Sequence, residues 1–578
     1  MEEKKLTGYP SIDKPWLKYY SEEAINAPLP ECSMYEYMRS SNMEHDSEPA
    51  LEFFGRLITY GELFVDIDRT AQAFATLGVK EGDIVSLCTV TTPETIYALY
   101  ALNKLGAISN MVDPRTSADE LVRYIQESNT RVLMTIDAAL PKIVSLLEKT
   151  DISKVIVVSP SYSMPLIFKL VYRLTKLTSD RKYKDKRLIL WPDFIDTANS
   201  NCESPATCPL ANRPAAIVHT GGTTGTPKGV VLSNNNLNSA AYQGYHCGLD
   251  YKRRDIWLDY MPPFIAYGIG NGLHLPLSAG MKVILLPNFN PAKFDRILLR
   301  YKPNHMAGVP SHWETVIYSK RLYGKDLSFI RAPVVGGDSM NITVEQELNT
   351  FFKAHQVNSQ IIKGYGMTET CAAVCVCAYP EVNKPGSVGI PFPKMAIAIL
   401  DPDTHEELTY GQMGEIAVFG PNCMLGYYKN QAATEVLMTE LNGERWMLTG
   451  DLGYMDEDGC LFVIDRVKRI IIRPDGFKIF PSAIENTIIR HKAVASCAVV
   501  GIQNAEYIHG MAPHAFVVLH DRYRANAEAV CQELVALCKK ELAEYAQPLS
   551  FRFLDALPLT PIGKVDYRAL EQMAAENT

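Results

Sequence analysis

The ten residues TGGTTGTPKG, Thr220 to Gly229, hold four glycines, four threonines, one proline and one lysine. Such a stretch suits anion binding. Gly221, Gly222 and Gly225 let backbone N–H groups approach an anion with no Cβ in the way. Thr220, Thr223, Thr224 and Thr226 add hydroxyl donors, and Lys228 adds positive charge. The loop is not a Walker A sequence, because Lys228 stands between Pro227 and Gly229 with no Ser or Thr after it. A flexible surface linker can share this composition. The apolar run AAIVHT directly before the loop and the lysine at its end favour phosphate instead. SNNN at 233–236 supplies capping residues for a helix beyond.

The flanking sequence shows what must hold this loop. From about residue 80, DIVSLCTV, ISNMVD, TRVLMTI and KVIVVSP read as strands, and ETIYALYALNKLGAI, SADELVRYIQES and PKIVSLLEKT as amphipathic helices. That alternation predicts a largely parallel sheet with helices on both faces, an α/β fold. KVILLPN, APVVGG and QIIKGYG repeat the pattern further on and run into turns. Ligands of such sheets bind at the carboxyl ends of the strands, where these loops lie. From about residue 395 the pattern changes to hairpins. After GCLFVIDRVKRIII comes a compact α+β region, so we expect a large domain over 1–464 and a small one over 465–578.

At 578 residues the chain is too long for one core. A net charge of −8 gives no reason to expect nucleic acid as a partner. The N-terminal residues carry no apolar h-region and no run of about 18 apolar residues occurs, so the expectation is a cytoplasmic protein. Thirteen scattered cysteines fit reduced thiols, and Cys371, Cys375 and Cys377, with no histidine near them, read as packing groups.

Five ordered blocks carry a resemblance that covers essentially the whole chain. TGGTTGTPKG is similar to the phosphate-loop signature TSGTTGxPKG of the adenylate-forming superfamily, which comprises acyl-CoA synthetases, carrier-protein adenylation domains and firefly luciferases. GYGMTET (364–370) resembles its YGxTE block and LTGD (448–451) its TGD block. DRVKRIIIRPDGFKIFPSAIE (465–485) resembles the hinge block, and PLTPIGKVDYRAL (558–570) the C-terminal lysine block. Among these families the chain is most like AMP-forming fatty acyl-CoA synthetases. The resemblance implies a mobile C-terminal domain and a two-step reaction. A carboxylate first attacks the α-phosphate of ATP, and the acyl adenylate then passes its acyl group to CoA.

By resemblance, Thr220, Gly221, Gly222, Thr223, Thr224, Gly225 and Lys228 hold the triphosphate. Glu369 and Thr224 supply hard oxygen ligands for Mg²⁺. Thr368 touches the α-phosphate, and Tyr365 with Gly366 faces adenine. Gly337 and Asp338 line the same pocket. Asp451 accepts from the ribose hydroxyls, with Arg466 as its companion. Lys564 carries the first step by bridging carboxylate and α-phosphate oxygens. Lys468 holds the hinge position. The hinge block has one residue more than the usual pattern between Arg466 and Pro481, with Pro474 inside, and Gly476 is carried over as a CoA contact.

The resemblance also implies that Ile265, Gly308 and Gly336 fall at the acyl pocket. Ile265 stands in MPPFIAYGIGNG where many acyl-CoA synthetases carry histidine, which favours an apolar mouth. A medium- or long-chain fatty acid is the first expectation, and aromatic or branched acids come second. Transfer to a carrier protein acting in trans is the alternative to CoA. A non-catalytic nucleotide-binding homologue is a further one, disfavoured by retention of Glu369, Asp451, Arg466 and Lys564 together.

One stretch belongs to no block. In residues 163–187 the apolar Leu166, Ile167, Leu170, Val171, Leu174 and Leu177 fall on one helical face, with Lys169, Arg173 and Lys176 on another. Eight Lys/Arg against two Asp make it strongly basic. Two readings stand: the leucines pack on the protein's own core, or the helix lies on an anionic membrane, placing the enzyme at the inner face of a bilayer.

Overall fold

In the computed structural model, which describes residues 6–175, 185–198, 211–220, 227–472, 478–503, 511–559 and 565–576, the alternating runs form two large sheets. In the first, strands Ile84–Cys88, Ile108–Met111, Val132–Ile136, Lys154–Val158 and Pro214–His219 lie parallel. Their apolar runs are nearly unbroken because helices cover both faces. Helix Pro93–Lys104 starts at an N-cap on Thr92, and helix Ala118–Ser128 starts on Ser117 and stops at left-handed Asn129.

The sequence reading misses the strand after the loop. Gly229–Ser233 turns back antiparallel to Pro214–His219 and pairs on its far side with Gly426–Tyr427. Ser233 then caps helix Asn234–Tyr245 in a capping box with Asn236, as SNNN implies.

The second sheet runs Ile362–Tyr365, Ala332–Val335, His305–Gly308, Ile256–Asp259, Lys282–Leu285 and then the hairpin Pro49–Phe53/Arg56–Thr59. Its central strands are also parallel, so Gly308, Gly336 and Gly364 reach the same rim. A smaller antiparallel sheet is built on the long strand Glu444–Met455, against which Gly414–Phe419, Met438–Leu441 and Leu461–Arg466 pair. Beyond it, Val494–Gln503, Met511–Leu519 and Ser550–Leu554 form a three-stranded sheet. That sheet packs with Ile471, Ile484, Ile488 and Leu534 into a separate apolar cluster. Among the described residues no helix is long and apolar enough to cross a membrane.

Candidate functional site

The anion loop is closed at its neck. The Thr220 N–H donates to the Lys228 carbonyl at 3.0 Å, and the Lys228 N–H donates to Thr220 Oγ1 at 3.2 Å. Gly221, Gly222, Thr223, Thr224 and Gly225 lie outside the described residues, as do Lys564 and Gly476. Lys228 itself extends over the ring of Tyr427, with Nζ 4.5 Å from the centroid. The Tyr427 hydroxyl donates to Glu369 Oε1 at 2.7 Å. A loop lysine and the GYGMTET carboxylate thus converge on one tyrosine, carried by the short strand that pairs with Gly229–Ser233. Burial, and then the Glu369 charge, raises the phenol of Tyr427 above its ordinary value, so it remains a donor.

GYGMTET owes its shape to a tight reversal. Strand Ile362–Tyr365 pairs antiparallel with Cys375–Val376, and the chain between them folds back through Cys371 (φ of 55°) and Ala372 (φ of 94°). Gly366 sits inside this reversal, where a Cβ would lie 1.8 Å from the Ala372 carbonyl oxygen. Met367 N–H donates to Thr370 Oγ1 at 3.0 Å, which holds the turn Thr368–Thr370. Glu369, only 7% exposed, is thereby aimed at Tyr427.

Across from it, Tyr365 donates its hydroxyl to Asp451 Oδ2 at 2.6 Å, and Arg466 Nε meets Asp451 Oδ1 at 2.9 Å. Asp451 and Arg466 are direct partners on antiparallel strands. Asp451 is 4% exposed, and Gly450 before it adopts a φ of 73° that favours glycine. Gly336 N–H donates to the Gly308 carbonyl at 2.9 Å. Gly337 follows with a φ of 79°, and both Gly337 and Asp338 face solvent.

Around Gly308 and Gly336 lies a set of polar groups the sequence reading does not name. The hydroxyls of Tyr260 and Tyr267 and Nδ1 of His312 are buried with no hydrogen-bond partner among the described residues. A Cβ on Gly308 would lie 2.3 Å from the Tyr260 hydroxyl and 3.3 Å from His312 Nδ1. One on Gly336 would lie 3.6 Å from the Tyr267 hydroxyl. Burial pulls the His312 imidazole down to about 4, which leaves it neutral at neutral pH. Tyr267 opens a π-helix, Tyr267–His274, a form common at functional sites. Ile265 stands just before it, packed against both apolar clusters of the large domain.

Lys468 is exposed, in the short turn Val467–Arg469. Its neighbour Arg469 is engaged, lying 3.9 Å over the Tyr567 ring and pairing with Glu485 at 2.6 Å. Asp338 is close enough that its charge helps, after burial and Glu485, to raise the Tyr567 phenol. Among the described residues no group of three His, Cys, Asp or Glu side chains could hold a metal. A Mg²⁺ arriving on a triphosphate needs only one protein carboxylate with waters and phosphate oxygens. Glu369 fits that need. Cys371, Cys375 and Cys377 are buried in the core, where desolvation raises their thiols.

The family model described as AMP-binding enzyme matches residues 38–428, and the AMP-binding enzyme C-terminal domain matches 483–564. The chain belongs to the AMP-binding enzymes. This AMP-binding enzyme is 28% identical to a long-chain-fatty-acid–CoA ligase of Bacillus subtilis, over 98% of this chain and 99% of that one. It is 30% identical to a probable 4-coumarate–CoA ligase of Dictyostelium discoideum, over 86% and 87%. The crystal structure of an ATP-bound RpMatB–BxBclM chimera superposes with a TM-score of 0.82 at 25% identity, over 94% of this chain and 99% of that one.

Within the AMP-binding enzyme, the fold brings together Thr220, Lys228, Glu369, Tyr365, Asp451 and Arg466 around the strand ends. Tyr427 and Arg469 escape the sequence reading. A tyrosine in MLGYYKN carries no local signal, and only strand pairing reveals its contacts. Arg469 is visible merely as one basic residue among several in DRVKRIII.

Proposed function

We propose that this AMP-binding enzyme activates a medium- or long-chain fatty acid. Its reaction class is that of an AMP-forming acid–CoA ligase, with ATP, Mg²⁺ and CoA as reactants. The observation that carries the substrate reading is Ile265, an apolar side chain set against both apolar clusters at the expected carboxylate end of the pocket. The relative matched along its full length, named as a long-chain-fatty-acid ligase, supports it.

In the proposed mechanism a carboxylate oxygen attacks the α-phosphorus and pyrophosphate leaves. Lys228 and the loop donors stabilise the departing phosphates. Glu369, oriented by Tyr427, would hold Mg²⁺, which when bound shields phosphate charge. Asp451 and Arg466 hold the ribose, Tyr365 with Gly337 and Asp338 frames the base, and Thr368 contacts the α-phosphate. Lys564 neutralises charge that builds on phosphorus. The small domain, 465–578, then turns on Lys468 relative to 1–464. The CoA thiolate, led in past Gly476, attacks the acyl carbonyl, forming the thioester and releasing AMP. Free thiols at every described cysteine suit a reducing, cytoplasmic setting.

A second reading has its own observation. The hydroxyls of Tyr260 and Tyr267, and His312 Nδ1, without partners among the described residues, offer hydrogen bonds that an alkyl tail leaves unmet. They favour a hydroxylated aryl acid. Pyrophosphate release across acids from butyrate to palmitate and across hydroxybenzoates and hydroxycinnamates separates the two, with CoA or a holo carrier protein as acceptor. The first reading expects turnover to rise with chain length and to need CoA. Preference for hydroxylated aryl acids supports the second, and turnover only with the carrier protein refutes the assigned acceptor.

A further inference from the structure

Among the described residues, the basic segment after strand Lys154–Val158 takes no part in the site above. Helix Leu166–Thr175 begins there, and two side chains one turn apart hold it to the body. The Phe168 ring lies 5.8 Å from that of Phe54, and the Tyr172 hydroxyl donates to the Asp137 carboxylate at 3.0 Å. At about 100° per residue, Leu166, Ile167, Leu170 and Val171 span an arc opposite those two anchors. They are exposed by 77%, 76%, 62% and 57% respectively. The core-packing reading therefore fails for these four residues, while the side chains of Arg173, Leu174, Lys176 and Leu177 lie outside those the structure describes. Four large apolar side chains displayed side by side on one helix mark an interaction surface.

We propose that this face docks the enzyme on an anionic lipid bilayer. The partner is chosen by charge as well as by apolarity. Residues 163–187 carry eight Lys/Arg and two Asp in a chain whose net charge is −8. Lys169 lies between the exposed apolar positions and the anchored side. Anionic lipid offers acyl chains and negative charge together, which is what such a helix engages. Symmetric pairing of two copies through this face would instead bring like charges together at Lys169. The position also suits an enzyme that collects its acid from a membrane. Strands Lys154–Val158 and Pro214–His219 run parallel within one sheet, so the helix and the Thr220 loop leave the same rim. The docking itself does not depend on which acid is activated.

The test is flotation of the full-length protein with vesicles of phosphatidylcholine alone or with about one-third phosphatidylglycerol, at about 0.05 M and 0.5 M salt. Wild type should float with the anionic vesicles at least ~10-fold more than with neutral ones, and high salt should weaken this. Ile167→Glu/Leu170→Glu should lose that binding ~10-fold or more, with unchanged thermal unfolding and unchanged activity on a water-soluble acid. The milder Leu166→Gln/Val171→Gln should reduce it in the same direction. Wild type that fails to float with anionic vesicles overturns the proposal. So does undiminished flotation of both variants, or a concentration-dependent dimer that these variants dissolve while flotation persists.

Discussion

Asp451→Asn isolates the proposed ribose contact. The exchange keeps the side-chain shape, so Tyr365 can still donate to the retained oxygen across the 2.6 Å contact. The Arg466 ion pair loses its charge partner. Because the Arg466 side chain is half-exposed, that loss costs about 0–1 kcal/mol of stability. Ligand binding should suffer more. Two ribose hydroxyls bonded to a carboxylate rather than an amide differ by about 1 kcal/mol each, or ~2 kcal/mol in all. That is about 30-fold in affinity. Calorimetric titration with AMP and with 2′,3′-dideoxy-AMP reads the effect directly. Wild type should prefer AMP strongly, whereas Asp451→Asn should bind AMP ~30-fold more weakly and the dideoxy compound nearly as wild type does. If the variant weakens both ligands equally, Asp451 acts on the fold or on the arginine and not on the ribose.

Tyr427→Phe removes the donor to Glu369 and should raise the Mg²⁺ concentration for half-maximal pyrophosphate release ~3–10-fold, with about 1–2 kcal/mol lost in stability; an unchanged Mg²⁺ dependence would show that Glu369 needs no such positioning. Lys564→Ala should slow acyl-adenylate formation ~100–1,000-fold while thioester formation from supplied acyl adenylate survives, and normal adenylation would remove Lys564 from the first step. Lys468→Pro should spare adenylation and block thioester formation by fixing φ at the hinge, whereas equal loss of both half-reactions would place the hinge elsewhere. Burial lowers His219 to about 4 and His274 to about 3. Each therefore binds its proton first in the unfolded chain, so stability should fall as pH drops from about 6.5 towards 4, by up to ~1.4 kcal/mol per pH unit for each. His274→Gln should reduce the proton uptake on unfolding near pH 5 by about one, and an unaltered uptake would contradict its buried neutral state.

Local chemistry was legible in the sequence wherever one segment contains its own cause. The glycine-threonine loop, the Ser233 cap and the alternation of parallel strands with amphipathic helices all rest on neighbours within a few residues, and the structure shows the last two directly. The start of the 163–187 stretch, helix Leu166–Thr175, was legible as amphipathic, but the exposure of Leu166, Ile167, Leu170 and Val171 was not. Periodicity reveals that a face is apolar, and only packing reveals what covers it. The strand that returns after the loop was missed because KGVVLS is too short to distinguish a hairpin arm from a turn. The contacts of Tyr427 were hidden for a different reason. They depend on Gly426–Tyr427 lying beside Gly229–Ser233, and on Glu369 arriving from a reversal 58 residues away. Tyr365 and Asp451 likewise meet across 86 residues. Motifs name such residues singly, but hydrogen bonds form only at fixed distance and angle, which strand register alone imposes. The residue types and their local turns were therefore set by the sequence. Which side chains meet, and which apolar face stays uncovered, was decided by tertiary pairing.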